Sequence, residues 1–271
     1  DMHPIRIATG LLTLNELAKG RTNIVIGGGG EALHALNLKT IRRVRAVREC
    51  VEILKSITPG HSLNYEGEIY QVKNYNPLWA SQLISKIFVA ANKPQMLKMA
   101  SRASDGVMLS DLPIKIIEKT VETVSGHLNS FDRKIEEFQF NNFMAWALYD
   151  DREKAIKEAK MWLGYRGLFR RWVMTTFISD EEYDLIEAHK KEIYQMPILN
   201  TSSVDGIPDN LLEKLVDHLT LTGHVSEVDQ KIEHLLELKE AGLTDVALEL
   251  RDDPAASIKL LGEKVLPALN P

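Results

Sequence analysis

The chain has 271 residues, 44% of them hydrophobic and 26% charged, which is enough apolar sequence for a large core. Its formal net charge is −5, so it lacks the basic excess of most nucleic-acid-binding proteins. The one cysteine, Cys50, excludes an internal disulfide, and no apolar run approaches the roughly 18 residues of a membrane span. We therefore expect a cytoplasmic protein with neither a nucleic acid nor a membrane as partner.

The first part of the chain predicts a helix, a strand, a helix and a hairpin. An apolar stripe favours a helix over residues 3–19, and the β-branched run Asn23–Ile26 predicts a strand. Four glycines follow that strand. Apolar residues three and four apart predict a helix over 41–57. Alternating Tyr and Val around Glu66-Gly67 indicate a hairpin over 62–75.

The remainder of the chain alternates strands with helices. Strands are predicted at 84–91, 105–110 and 246–250, and in the second half of 138–149; helices are predicted from 95, at 113–129, 151–169, 226–241 and 254–269. Residues 172–217 look less regular apart from an acidic helix at 180–192, and we interpret them as an excursion or lid.

This alternation predicts an α/β fold with parallel strands joined by crossover helices. Five principal strands are expected, near residues 24, 87, 107, 145 and 248. Binding sites in such folds lie in the loops after the carboxyl ends of the strands.

The glycine run is the first candidate site, and consists of Gly27, Gly28, Gly29 and Gly30. Glycine costs backbone entropy, so four in succession indicate close approach of a ligand; a tight turn without a ligand is the alternative. The run formally satisfies the dinucleotide pattern G-x-G-x-x-A. Glu49 has the spacing of that motif's acidic residue, but it falls inside the predicted helix 41–57, which argues against a dinucleotide site.

The second candidate site is the junction of a strand with a helix, comprising Ala90, Ala91, Asn92, Lys93, Pro94 and Gln95. The free N–H groups of a helix start and a lysine would meet there, which is typical of a phosphate cradle. An ordinary capped helix is the alternative.

Other chemistries lack their motifs. The sequence has no H-E-x-x-H, C-x-x-C, Walker lysine or G-x-S-x-G, so no metal ligands are assigned. Arg42, Arg43, Arg45 and Arg48 form a basic cluster, which is either a solvated helix face or a contact to a phosphate-bearing partner.

Three segments together resemble the luciferase-like monooxygenase family of flavin and deazaflavin enzymes. The first contains His3-Pro4, T-L-N-E-L at 13–17, Gly20-Arg21 and I-V-I-G-G-G at 24–29. The second is V-A-A-N-K-P-Q-M-L at 89–97, followed by Asp105-Gly106-Val107. The third contains Thr222-Gly223, E-A-G at 240–242 and Asp245-Val246.

The resemblance implies a TIM-type (β/α)8 barrel over 1–271 that binds coenzyme F420, an 8-hydroxy-5-deazaflavin, with FMN as the alternative. It favours the branch that includes the methylenetetrahydromethanopterin reductases. The cofactor phosphate would lie near Asn92–Gln95, and its ring or side chain along Gly27–Gly30. The implied reaction is hydride transfer between the ring and a small organic substrate. Glu31 is the acidic residue beside the glycines and the candidate catalytic residue.

Two departures from the family pattern affect these expectations. Lys93 stands where the family usually has glycine. The His-Pro helix follows the third barrel strand in the family, so the predicted strands would be the fourth to the eighth and the N-terminal third would be absent. The alternative functions are an FMN-dependent monooxygenase and a non-catalytic truncated barrel acting as a subunit or binding module. Open sheet edges then predict a homo-oligomer or a covering partner chain.

Overall fold

The computed structural model describes residues 2–30, 33, 36–39, 42–166 and 169–270. The chain forms two compact units: residues 1–109 and 122–141 make up the first, and residues 110–121 and 142–271 the second. The chain passes between the units three times, so neither unit is one continuous segment.

The first unit begins with helix α1 (Pro4–Leu17), strand β1 (Asn23–Ile26) and helix α2 (Arg43–Ser56). Pro4 occupies the first turn of α1 and His3 caps it, because the ring nitrogen of His3 accepts from the N–H of Ile5. The helix buries Ala8, Leu11 and Leu12.

Asn15 fixes the approach of the chain to β1. Its amide is fully buried; it donates to the carbonyl of Leu83 at 2.7 Å and accepts from the N–H of Thr22 at 3.2 Å. A buried amide with its partners satisfied holds one geometry, because any shift would leave a polar group unpaired. The start of β1 is thereby held against the end of α1.

A two-stranded antiparallel hairpin follows, formed by β2 (Leu63–Glu66) and β3 (Gln71–Tyr75), so the predicted hairpin is confirmed. Strand β4 (Lys86–Ala90), helix α3 (Pro94–Ala103) and strand β5 (Gly106–Ser110) come next. β4 pairs in parallel with both β1 and β5, and it buries Ile87, Phe88 and Val89. This parallel arrangement confirms the predicted α/β class.

Helix α4 (Ile114–Ser130) and strand β6 (Gln139–Tyr149) each have residues in both units. The prediction placed a strand only in the second half of 138–149, which is wrong, since all eleven residues from Gln139 are extended. The polar Asn141 and Asn142 obscured the first half. Asn142 is buried, and its side chain both donates to the carbonyl of Leu112 and accepts from its N–H.

The second unit contains helix α5 (Arg152–Arg166) and a helical region from Arg171 to Leu219. That region comprises α6 (Arg171–Met174), α7 (Asp180–Ala188), α8 (Lys190–Leu199) and α9 (Asp209–Leu219). The expectation of an irregular excursion is wrong for α8 and α9. Pro197 interrupts the apolar period inside α8. The apolar period of α9, which buries Leu211, Leu215 and Leu219, is present in the sequence and was overlooked.

The unit ends with strand β7 (Thr220–His224), helix α10 (Val228–Glu240), strand β8 (Asp245–Leu250) and helices α11 (Pro254–Leu260) and α12 (Leu266–Leu269). β7 runs parallel to β6, and β8 also pairs with β6. The count of five principal strands is therefore wrong, because the sequence analysis missed β7. Its residues from Thr220 to Gly223 are all buried, so it shows no alternation of polar and apolar residues.

Candidate functional site

The two candidate segments lie side by side at one edge of the first unit's sheet. In the parallel register, Ile26 of β1 pairs with Val89 of β4, so both strands end at the same level. A Cβ added to Gly27 would lie 3.6 Å from the Cβ of Ala90. The glycine run and the segment from Ala90 onward thus meet at the carboxyl ends of neighbouring parallel strands.

A cavity of about 540 Å³ opens beside the glycines, a volume typical of small-molecule sites. Gly27, Gly28 and Gly29 form one wall. The other walls come from α1, α2, the segment around Leu38 and the hairpin turn, and include Ile7, Lys39, Arg43, Val47, Cys50 and Tyr70. The walls are mostly apolar and carry two cations, Lys39 and Arg43, and one acid, Glu68, which suits a flat, partly apolar ligand.

Two of the glycines are required by their surroundings. A Cβ on Gly28 would lie 2.5 Å from Cγ of Arg43, and a Cβ on Gly29 would lie 2.5 Å from Cδ1 of Leu33. Gly29 also has φ +74°, a conformation that side chains rarely adopt. Gly30 differs, because it is exposed and an added Cβ would meet nothing within 4 Å. The cavity wall therefore depends on Gly28 and Gly29 and not on Gly30.

Glu49 holds the hairpin turn that forms the opposite wall. Its buried carboxylate accepts from the backbone N–H groups of Glu68, Ile69 and Tyr70, at 3.1, 2.9 and 3.0 Å. Burial by itself would raise the pKa of Glu49, but these three donors and the nearby Arg48 bring it below its ordinary value. Glu49 is therefore an ionised anchor for the turn, a role that its spacing in the sequence did not reveal.

The segment Ala90–Gln95 leads from β4 into α3. The N–H of Ala91 donates to the carbonyl of Met108 at 3.1 Å. Lys93 is the extended N-cap residue of α3, Pro94 occupies the first turn, and no side chain caps the helix. Ala90, Lys93 and Gln95 are exposed, whereas Asn92 is half-buried. The first-turn N–H groups of α3 therefore lack a side-chain acceptor at an accessible position.

Glu31, the candidate catalytic residue, lies outside the described residues. Its assignment stays a prediction.

Asp111 is a buried carboxylate of the second unit that the sequence analysis did not single out. It follows β5 directly, has φ +51°, and accepts from Nε1 of Trp162 at 3.2 Å and Nε of Arg166 at 3.0 Å. Burial raises its pKa to about 6, against the opposing effect of Arg166. Its position directly after a predicted strand was the feature of the sequence from which Asp111 could have been identified.

The described residues contain neither a metal-binding cluster nor a helix suited to a membrane. Within the described ranges, no group of three or more His, Cys, Asp or Glu side chains could hold a metal ion. None of the described helices combines the length and apolar character that crossing a bilayer demands.

The sequence matches the luciferase-like monooxygenase family over residues 1–245, and the chain belongs to this family. Among curated relatives, it is 23% identical to a 5,10-methylenetetrahydromethanopterin reductase of Archaeoglobus fulgidus. That alignment covers 98% of this chain and 79% of the reductase.

Two solved structures have the same fold. A coenzyme F420-dependent tetrahydromethanopterin reductase from Methanopyrus kandleri matches with a TM-score of 0.75 and 20% identity, covering 98% of this chain and 79% of that one. An F420-dependent secondary alcohol dehydrogenase, in complex with an F420-acetone adduct, matches with a TM-score of 0.74 and 15% identity. The latter match covers 99% of this chain and 76% of the dehydrogenase chain. The α/β arrangement of parallel strands is therefore that of the luciferase-like TIM-barrel fold.

Proposed function

We propose that this protein is an oxidoreductase that binds coenzyme F420 in the cavity beside Gly27–Gly29 and transfers a hydride between the deazaflavin and a small organic substrate. The observation that carries the proposal is the cavity itself, which lies at the carboxyl end of β1 and has in its wall Gly28 and Gly29, where an added Cβ would overlap a neighbouring side chain. The F420 dependence named for the two solved relatives supports the choice of cofactor. FMN is the alternative.

The residues present fit a cofactor with a flat ring and an anionic group. Gly28 and Gly29 leave a bare backbone against which a planar group can lie, and Ile7, Val47 and Tyr70 provide apolar surface. Lys39 and Arg43 line the same cavity as cations, together with the acidic Glu68. The uncapped start of α3, at Lys93–Gln95, would hold a phosphate through its N–H groups.

The bound cofactor supplies the hydride chemistry, and the chain supplies position and electrostatics. In this proposal the glycine wall sets the plane of the ring, and the turn at Glu68–Tyr70 covers it from the other side. Glu49 keeps that turn in place through its three hydrogen bonds. Glu31 follows the glycine wall in sequence, and we propose it as the group that holds or delivers a proton.

Titration of the purified chain with F420, and separately with FMN, tests the proposal through the fluorescence of each cofactor. We expect saturable binding of F420 at about one per chain. Gly28→Leu should abolish binding, because its side chain would fill the cavity and displace Arg43. Gly10→Leu is the matched control: Gly10 lies in α1, where an added Cβ meets nothing within 4 Å.

Each outcome of this titration has a distinct meaning. Tight binding of FMN alone would transfer the proposal to flavin chemistry. Equal binding by Gly28→Leu and the unaltered chain would exclude this cavity. Binding of neither cofactor would contradict the enzyme proposal and favour a non-catalytic subunit or binding module.

The role of Glu31 has a separate test. We expect Glu31→Gln to lower kcat at least tenfold while the Kd for F420 changes less than twofold, since a proton-transfer group acts on the reaction and not on cofactor affinity. An unchanged kcat would contradict the assignment.

We also infer that residues 1–271 form one luciferase-like domain with the hairpin at 62–75 inserted and the 172–217 region added. The family match, which extends through both compact units, supports it. The proposed homo-oligomer, or a partner chain on the sheet edges, is testable by analytical ultracentrifugation.

A further inference from the structure

The second unit contains a cavity of about 470 Å³, and no described residue lines both it and the candidate cofactor cavity. We call it the β8 cavity. It lies between β8, α10 and the C-terminal helices, and its main apolar lining residues are Leu235, Leu243, Val246, Leu248, Leu261 and Val265. Its lining includes the first residues of β8, whereas the sites of α/β folds lie at the carboxyl ends of strands. The β8 cavity therefore needs an explanation other than cofactor binding.

The strand that borders this cavity is incompletely covered. All six residues of β8 are half-buried, whereas the first four residues of β7 are buried. Val246 and Leu248 are the apolar residues of β8 that line the cavity. Because protein interiors are normally close-packed, a hollow of this size beside apolar strand residues is a space that a ligand can fill.

The helical side of the cavity is also open. α11 and α12 are joined by a π-helical segment, Leu261–Val265, and such turns are rare but frequent at functional sites. Gly262 of this segment lines the cavity, and an added Cβ there would meet nothing within 4 Å. Ile258 and Leu266 flank the segment, line the cavity and are 61% and 56% exposed. Exposed apolar side chains that continue into a cavity are typical of a binding site.

The β8 cavity carries no net charge. The ionisable residues among its described lining are Lys239 and Asp245, which have opposite signs. Nζ of Lys239 donates to the carbonyl of Leu269 at 3.1 Å, and Oγ1 of Thr244 donates to Oδ2 of Asp245 at 2.6 Å. An ion that entered the cavity would lose hydration without gaining a net counter-charge. The charge of the lining therefore matches an uncharged ligand.

We propose that the β8 cavity binds an uncharged small molecule with a hydrocarbon chain and a hydroxyl end. The apolar residues of the lining bury the chain. The hydroxyl suits the polar pair, because it can accept from Lys239 and donate to Asp245. A protein partner typically covers about 800 Å² on each side, whereas this feature is a concave cavity in the small-molecule range. The site goes beyond the proposed function and does not depend on it.

Isothermal titration calorimetry of the unaltered chain with octan-1-ol tests the proposal. Octanoate and octyltrimethylammonium have the same chain with a negative or a positive end. We expect saturable binding of octan-1-ol at about one per chain, and binding of either ion at least tenfold weaker, because the cavity has no net counter-charge.

Filling the cavity should abolish binding. Gly262→Trp places a large side chain where an added Cβ has no neighbour within 4 Å. Gly126→Trp is the matched control, because Gly126 also lies in a helix, α4, has no neighbour within 4 Å of an added Cβ and does not line the cavity. We expect Gly262→Trp to lose octan-1-ol binding and Gly126→Trp to keep it.

A second variant makes the mouth of the cavity polar without changing a buried side chain. Ile258→Asn/Leu266→Asn should weaken octan-1-ol binding about tenfold, since both side chains are exposed and line the cavity. Leu236→Asn is its control, because Leu236 is an exposed apolar residue of α10 outside the cavity.

The polar pair can be tested by changing its charge. Asp245→Asn leaves the charge of Lys239 unopposed, so the affinity for octanoate relative to octan-1-ol should rise several-fold. Lys239→Gln should produce the same change for octyltrimethylammonium. A merely structural role of these residues would change the affinity for all three ligands equally.

Several results would overturn the inference. These are the absence of octan-1-ol binding to the unaltered chain, equal binding by Gly262→Trp and Gly126→Trp, and tighter binding of either ion than of the alcohol. The last is a dimer, measured by analytical ultracentrifugation, that Ile258→Asn/Leu266→Asn dissociates and octan-1-ol does not, because the cavity would then be an interface between two copies of the chain. None of these measurements requires F420, so the proposed function stands or fails separately.

Discussion

Glu49 shows how one buried charge can be stabilising. A carboxylate at 1% exposure is costly unless its oxygens are satisfied, and here three consecutive backbone N–H groups satisfy them. Gly67 completes the arrangement, because a side chain there would overlap the Glu49 carboxylate. The turn that walls the cavity is thus determined by one acidic residue on α2.

We expect Glu49→Gln to lower the free energy of unfolding by about 2–3 kcal/mol, since an amide presents its NH₂ group where the turn presents donors. The pKa of Glu49 is lowered in the folded state, so the stabilisation is present above the ordinary value of 4.5 and is lost as the pH falls through the folded-state pKa. The variant should lack this component of acid destabilisation.

Urea denaturation at several pH values measures this effect. Glu66→Gln, at an exposed position of the same hairpin, is the control and should change stability by less than about 0.5 kcal/mol. Equal stability of Glu49→Gln and the unaltered chain would contradict the anchoring role.

The contribution of Asp111 to stability changes with pH in the opposite direction from that of Glu49. Its pKa is raised to about 6 from an ordinary value of 3.8, so the folded state binds a proton at higher pH than the unfolded chain does. The contribution of Asp111 to stability therefore decreases as the pH rises from about 4 to 6 and is constant above that. We expect Asp111→Asn to be destabilising, with a smaller cost at pH 7 than at pH 4.

Thermal or urea unfolding across pH 4–7 would measure this difference. Asp205→Asn, at an exposed site of the same unit, should show no such pH trend. If the destabilisation caused by Asp111→Asn instead increases with pH, the attraction of Arg166 outweighs the effect of burial on the pKa of Asp111.

At the scale of elements, helix α7 of the second unit begins with a local cap. Ser179 and Glu182 form a capping box at the start of α7: Ser179 Oγ accepts from the N–H of Glu182, and the Glu182 carboxylate accepts from the N–H of Ser179. The Glu182 carboxylate also accepts a hydrogen bond from Nζ of Lys214, on α9, at 2.5 Å. The cap thus joins two helices of this region.

We expect Ser179→Ala to lower the free energy of unfolding by about 1 kcal/mol through loss of the cap. Ser203→Ala, where the hydroxyl is exposed, is the control. If both variants are equally stable by urea denaturation, the capping box does not stabilise the region.

Elements with a clear period were predictable from the sequence, and those determined by tertiary burial were not. α1, β1 and the hairpin follow from apolar spacing and turn residues. β7 was not predicted because burial on both faces removes the alternation of polar and apolar residues. A side chain at Gly223 of this strand would overlap the Glu227 carboxylate. The same distinction applies to the candidate site. The glycines that form its backbone wall were predictable from the sequence, but the residues that face this wall are determined by the packing of α2 and the hairpin turn.

At the scale of the whole molecule, ligand binding should stabilise the fold by mass action. At a free concentration of F420 one hundred times its Kd, the gain is about 2.7 kcal/mol, which corresponds to a rise in Tm of about 5–10 °C for a chain of this size. Differential scanning fluorimetry checks this. Gly28→Leu should show no rise, and a rise of equal size in that variant would place the ligand elsewhere.

The reactivity of Cys50 can be used to follow the opening of the candidate cavity. The chain has this one cysteine, its thiol is buried in the cavity wall, and burial raises its pKa to about 11. At neutral pH the thiol is protonated and reacts slowly, so a thiol reagent can label the chain only as fast as the wall opens. The labelling rate therefore measures how often the wall that contains Cys50 opens to solvent. A ligand bound against this wall would slow the labelling, so binding could be followed without an engineered tag.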